Sequence, residues 1–195
     1  MKIIKKIIFL LALTAQCAVA AQNNIVHVEV IVFETKTQDH NTSQETWPNH
    51  ATAKKPAFNQ ALSLQASPTA QFGPLSEKQF VLTNAKKRLQ QRYRVVLHQG
   101  WRQPLADKMH TPGVRLIGGK PTSNEASGHE VEGVIKVIGG NLLSLDADLF
   151  FQKAHQGFHL KEKARLKINE IHYVDHPLYG MIVMVTREKQ AKIDS

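Results

Sequence analysis

Two short clusters hold the residues best equipped for chemistry. The first is His172-Tyr173-Val174-Asp175-His176-Pro177. Two imidazoles and a carboxylate this close in sequence suit a metal, since His and Asp are ordinary zinc ligands. A further ligand would have to come from elsewhere, and His27, His98, His129, His155 and His159 show no diagnostic spacing. The simpler reading is an ordered turn without metal. Asp175 accepts backbone N–H bonds, Pro177 fixes φ, and Gly180 leads the chain into a last strand. The second cluster is Gly100-Trp101-Arg102-Gln103-Pro104. An indole face stacks on the C–H surface of a sugar ring, while a guanidinium and an amide bind hydroxyls. Trp101, Arg102 and Gln103, with Trp47 and His172, therefore form the candidate ligand-binding set. The alternative is a strand-end bulge with Trp101 in the core and Arg102 in solvent.

Catalytic signatures are missing. The chain has no Gly-x-Ser-x-Gly elbow, His-Glu-x-x-His helix or phosphate-binding Walker loop. Asp146 and Asp148 could serve glycoside cleavage as a carboxylate pair, but they alternate with core leucines and read as a solvated strand face. Glu130 and Glu132 read the same way. The expectation is a protein that is not an enzyme and needs no cofactor.

These residues must be positioned by strands. Val26, Val28, Val30 and Val32 alternate with His27, Glu29 and Ile31, a period-two pattern over Ile25 to Glu34. From Thr35 to Pro74 periodicity disappears, and the stretch reads as a long insertion carrying Trp47-Pro48, Phe58 and Phe72. Ser76 and Gln79 then form a capping-box pattern. Leu75, Leu82 and Leu89, with Val81 and Ala85, make the apolar stripe of one helix ending in Lys86, Lys87 and Arg88. Strands follow at Tyr93 to His98, Val114 to Ile117, Val131 to Ile138, Leu142 to Phe151, Ala164 to Tyr173 and Met181 to Val185. Gly139-Gly140-Asn141 supplies a hairpin turn. The expected fold is α+β, a mostly antiparallel sheet with one main helix packed on it.

The first residues address the chain. Lys2, Lys5 and Lys6 precede the apolar run Ile7 to Leu13 and the small triplet Ala18-Val19-Ala20, the order of a secretory signal peptide spanning residues 1–20. That run is too short to span a bilayer, which takes about 20 residues. Residues 21–195 are then one exported domain. Cys17, the single cysteine, leaves with the leader. Gln16 before it lacks the small side chain that lipoprotein processing wants. A cysteine-free exported chain fits the bacterial periplasm. The whole chain has 25 Lys+Arg against 16 Asp+Glu; without the three leader lysines 22 basic residues remain, a net of +6. In that compartment the polyanions on offer are lipid head groups, lipopolysaccharide and peptidoglycan carboxylates, not nucleic acid.

Val28-Glu29-Val30-Ile31-Val32-Phe33-Glu34, Trp47-Pro48, Tyr93 to Pro104 and His172 to Gly180, taken in order, resemble the CsiV family of periplasmic proteins over most of the mature chain. The resemblance implies peptidoglycan binding and a non-enzymatic role in cell-wall synthesis and cell shape. It further implies action beside the lipoprotein activator LpoA and a bifunctional penicillin-binding protein. It carries over no binding residues. Two other readings stay open: an adaptor that grips a protein partner through a sheet edge or the insertion, and a metal protein built on His172, Asp175 and His176.

Overall fold

The valines of the first strand lie at the middle of a sheet whose two faces are both covered. A computed structural model describes residues 24–35, 61–64, 68–69, 71–122, 128–153, 156–176 and 178–188. The expected leader, Trp47, Phe58 and Pro177, and most of the expected insertion, lie outside the described residues. Among the described residues the strands are β1 (Ile25–Glu34), β2 (Leu62–Ser63), β3 (Gly73–Pro74), β4 (Arg94–Pro104), β5 (Val114–Pro121), β6 (His129–Ile138), β7 (Ser144–Lys153), β8 (Gln156–Arg165), β9 (Ile171–Asp175) and β10 (Tyr179–Arg187), with one α-helix, α1 (Thr83–Gln90).

They form two five-stranded sheets, ordered β3-β4-β1-β10-β9 and β2-β5-β6-β7-β8. Every pairing is antiparallel except the short parallel contact of β2 with β5. The expectation of antiparallel strands plus one helix holds in outline, and the single sheet becomes two stacked sheets. Val26, Val28, Val30, Val32, Trp101 and Val183 of the first share one core with Val114, Leu116, Ile135, Leu145, Leu149 and Phe151 of the second. Full burial of each such aliphatic side chain is worth about 1.5–3 kcal/mol. Two pieces of the expected insertion reach the sheets: β2 edges the second and β3 the first, with Leu64 and Phe72 buried.

The helix lies on the outer face of the first sheet. There Ile31 and Phe33 meet Leu82, with Ala85, Leu89 and Val95 around them. The expected helix is broken in two. The Ser76–Gln79 capping box closes only a 3₁₀ turn, Glu77–Gln79. Phe80 then adopts an extended backbone (φ −71°, ψ 128°) and lays its ring on His98, centroids 4.4 Å apart. Gly100 makes this possible, since a Cβ there would lie 2.8 Å from the Phe80 ring.

Two other boundaries moved. Gly100 to Pro104 is no break, because β4 continues through it paired with β1. The segment Ala164 to Tyr173 splits into the end of β8, a connection in which Asn169 takes φ +62°, and β9 in the other sheet. The hairpin at Gly139 to Asn141 forms as expected, with Gly140 at φ +143°.

Candidate functional site

The sequence-nominated ligand residues do not gather. Trp101 and Gln103 are both 0% exposed. The indole N–H donates to Gln103 Oε1 at 2.7 Å, and the Gln103 amide donates to the Val137 carbonyl at 2.9 Å. Their alternation along β4 aims both side chains between the sheets, so neither offers a face to a sugar. Arg102 points the other way and pairs with Glu188 at 2.8 Å, beside His27. Trp47 lies outside the described residues.

The His172 cluster is likewise divided. His172 and Val174 share one face of β9 while Tyr173 and Asp175 occupy the opposite face. Asp175 is engaged by the Tyr173 hydroxyl, which donates to it at 2.7 Å. His176 sits among Phe151, Phe158 and Tyr179, ring centroids 5.7–6.5 Å away. Among the described residues no group of three His, Cys, Asp or Glu side chains is placed to hold a metal ion.

Glu130 and Glu132 were expected in solvent and are instead buried. Glu130 takes a bidentate grip from Arg94, which also donates to Glu34 at 2.7 Å. The nearly buried Tyr179 hydroxyl approaches the same carboxylate at 3.5 Å. Burial first, and the neighbouring Glu130 charge second, push the Tyr179 phenol well above its ordinary value. The cluster joins β1, β4 and β10 of one sheet to β6 of the other. Glu132 accepts the His129 N–H at 2.9 Å and faces Arg115 at 3.3 Å. Glu130 thus fastens the two sheets together, while Glu132 is tied within the second.

What remains is the outer face of the second sheet. Leu145, Ala147, Leu149 and Phe151 of β7 point into the core, so Ser144, Asp146 and Asp148 point outward. The same parity turns His159, Lys161, Lys163 and Arg165 of β8 outward, and Val134, Lys136 and Ile138 of β6. No described helix packs there. The register makes charged rows across three strands, Lys136–Asp146–Lys163 and Val134–Asp148–Lys161. Lys163 lies 3.8 Å from Asp146, Lys161 3.4 Å from Asp148, and His159 also contacts Asp148. Such exposed pairs contribute about 0–1 kcal/mol, so a ligand can replace them cheaply. Lys108, Lys136 and Arg165 have no acidic partner among the described residues.

Two adjoining depressions mark this face. One, about 390 Å³, is lined by Ile138, Leu142 and Ala164 with Lys108 and Arg165. The other, about 540 Å³, is lined by Asp146, Asp148, Lys161, Glu162 and Lys163. Asp146 and Lys163 border both. A cation-rich, solvated and polar surface of this kind suits an anionic polymer with amide and hydroxyl groups. Sequence reasoning took Asp146 and Asp148 correctly as a solvated face and missed what faces them. The signal was His159-x-Lys161-x-Lys163-x-Arg165, a strand with every outward residue basic or titratable.

Comparison with known proteins adds one match. A family model described as peptidoglycan-binding protein, CsiV, matches residues 3–188, nearly the whole chain. No curated protein and no solved structure matches.

Proposed function

This chain belongs to the CsiV family of peptidoglycan-binding proteins, and on that premise we propose that it is a non-enzymatic accessory factor of cell-wall synthesis in the periplasm. It holds the wall through the outer face of the second sheet and assists a bifunctional penicillin-binding protein and its lipoprotein activator, LpoA. The observation that carries the placement is the contrast between that face, where Lys136 and Arg165 have no acidic partner among the described residues, and the burial of Trp101 and Gln103. The signal-peptide pattern supports the compartment. No helix among the described residues is long and apolar enough to cross a membrane.

Peptidoglycan offers repeated carboxylates on its peptide arms, and Lys136, Lys161, Lys163 and Arg165 offer matching charge from adjacent strands. Attraction of this exposed kind weakens with salt, because the screening length is about 8 Å at physiological ionic strength.

A second reading has its own observation. On the edge strand β9, Ile171 and Tyr173 are 55% and 50% exposed, an edge to which a partner protein's strand could add. The test is a pull-down of the purified protein with isolated wall sacculi across a salt series, beside a Lys136→Glu/Lys163→Glu variant. Saturable binding that falls with salt and drops about tenfold or more in the variant supports the face. Equal binding by both proteins removes it. Retention on sacculi only when a partner protein is added favours the adaptor.

A further inference from the structure

Resting on the assignment of the second sheet's outer face to the wall, we infer that the 390 Å³ depression receives the free carboxyl end of a peptide arm, a terminal carboxylate beside a small apolar side chain. The glycan backbone is the wrong chemistry for it. Sugar recognition by stacking needs an aromatic plane, and neither depression is lined by an aromatic residue. Four of the residues lining this one are aliphatic: Ile138, Leu142, Leu145 and Ala164. Ile138, Leu142 and Ala164 form an apolar patch, and Leu142 is 53% exposed, a large apolar side chain left in solvent at a hairpin tip. At the same cavity stand Lys108 and Arg165, whose charges have no acidic partner among the described residues. An unneutralised guanidinium and ammonium next to an exposed aliphatic surface match a carboxylate attached to a methyl-sized group. Arg165 can bind such a carboxylate in two-pronged fashion. Asp146, at the border with the second depression, is an acceptor for an amide N–H farther up the same peptide.

Lys108 stands on a built loop. The hydroxyl of Thr111, a residue 4% exposed, donates to the carbonyls of Ala106 at 2.8 Å and Asp107 at 2.7 Å. The Asp107 carboxylate accepts the N–H groups of Met109 at 3.0 Å and His110 at 3.1 Å. Gly139 N–H donates to Ala106 O at 2.7 Å and ties this loop to the β6–β7 hairpin that carries Leu142. The loop that carries Lys108 and the hairpin that carries Leu142 therefore keep a fixed relation.

The probe is a short synthetic peptide, diacetyl-lysyl-D-alanyl-D-alanine, titrated against the whole protein beside the same peptide with its carboxyl group amidated. Fluorescence anisotropy of labelled probes reads the affinity. The free acid is expected to bind about tenfold or more tightly than the amide, and Lys108→Gln/Arg165→Gln is expected to abolish that preference with an unchanged circular dichroism spectrum. Equal affinity for acid and amide, no binding of either, or an undiminished preference in the variant overturns the proposal. The sacculus pull-down with Lys136→Glu/Lys163→Glu separates the two claims. Loss of sacculus binding there, with acid and amide equal, leaves the face assigned and rejects the carboxyl-end receptor. Unchanged sacculus binding in both variants rejects the face and the receptor together.

Discussion

On the far side of the first sheet, Ile31 and Phe33 are covered by Leu82, Ala85 and Leu89 of the helical segment; on the far side of the second, Asp146 pairs with Lys163, and Asp148 with Lys161 and His159, at side chains that solvent reaches. Both sheets contribute to the same core. Their outer faces nevertheless follow opposite rules. The first is sealed around buried polar groups that must be satisfied within the protein. Glu29, 2% exposed, accepts the N–H groups of Val81 at 2.7 Å and Leu82 at 3.0 Å and contacts His98 at 2.6 Å. The second carries the solvent-facing pairs Lys161–Asp148 at 3.4 Å and Lys163–Asp146 at 3.8 Å, beside the closer His159–Asp148 contact. Stability is therefore concentrated on one outer face, while the other is free to carry binding.

The sharpest way to break this contrast is Glu29→Ala. Removing one partner of a buried polar pair strands His98 and two backbone donors, a loss expected at about 3–5 kcal/mol. Urea denaturation reads it, and a change below about 1 kcal/mol would show that the covered face is not where stability resides. At conditions where the variant stays folded, its sacculus binding is expected to match the parent's.

That prediction rests on a residue whose role the sequence half disclosed. The alternation around Glu29 was legible as a strand, because Val26, Val28, Val30 and Val32 keep strict period two. What Glu29 does was not, since its partners lie 52 and 69 residues away along the chain. The same limit explains the other differences. Leu75, Leu82 and Leu89 have helical spacing, but Phe80 packing over Gly100 and His98 breaks the helix between them. Trp101 and Arg102 look alike as ligand candidates until the register with β1 decides which side each takes. The existence of two sheets was hidden because strand order is a long-range property. The proposed binding face was half visible: the alternation places the β7 carboxylates outside, but the β8 cations opposite them fall in a segment with no apolar strand signal of its own.

A smaller effect comes from the phenols. All three tyrosines, Tyr93, Tyr173 and Tyr179, belong to the first sheet or the chain entering it, so alkaline titration interrogates that half alone. Partial burial, and then the hydrogen bond to Asp175, push the Tyr173 phenol up to about 12; Tyr179 is displaced further in the same direction. Because the folded chain holds these protons more tightly than the unfolded chain, their contribution is intact below pH 10, the ordinary phenol value. It is lost as pH rises through the folded values. Phenolate absorbance is expected to show two tyrosines titrating late, with stability declining over the same range. Ordinary titration of Tyr173 and Tyr179 would mean the first sheet is wetter than its burial indicates.

The smallest stability effect and the clearest functional one should coincide on the second sheet. Asp148→Asn/Lys161→Gln removes a 3.4 Å pair whose side chains are 29% and 69% exposed. Its stability cost is expected within about 0.5 kcal/mol, because water already competes for both groups. His159, which also contacts Asp148, keeps enough exposure to find water instead. Binding responds differently, since the variant removes one positive and one negative charge from the floor of the larger depression. A retained denaturation midpoint with sacculus binding weakened and less salt-dependent would make the division complete: an outer face that can be rewritten without touching the fold. A large loss of stability from this pair would mean that the outer face of the second sheet also holds the sandwich together, and the contrast between the sheets would fail.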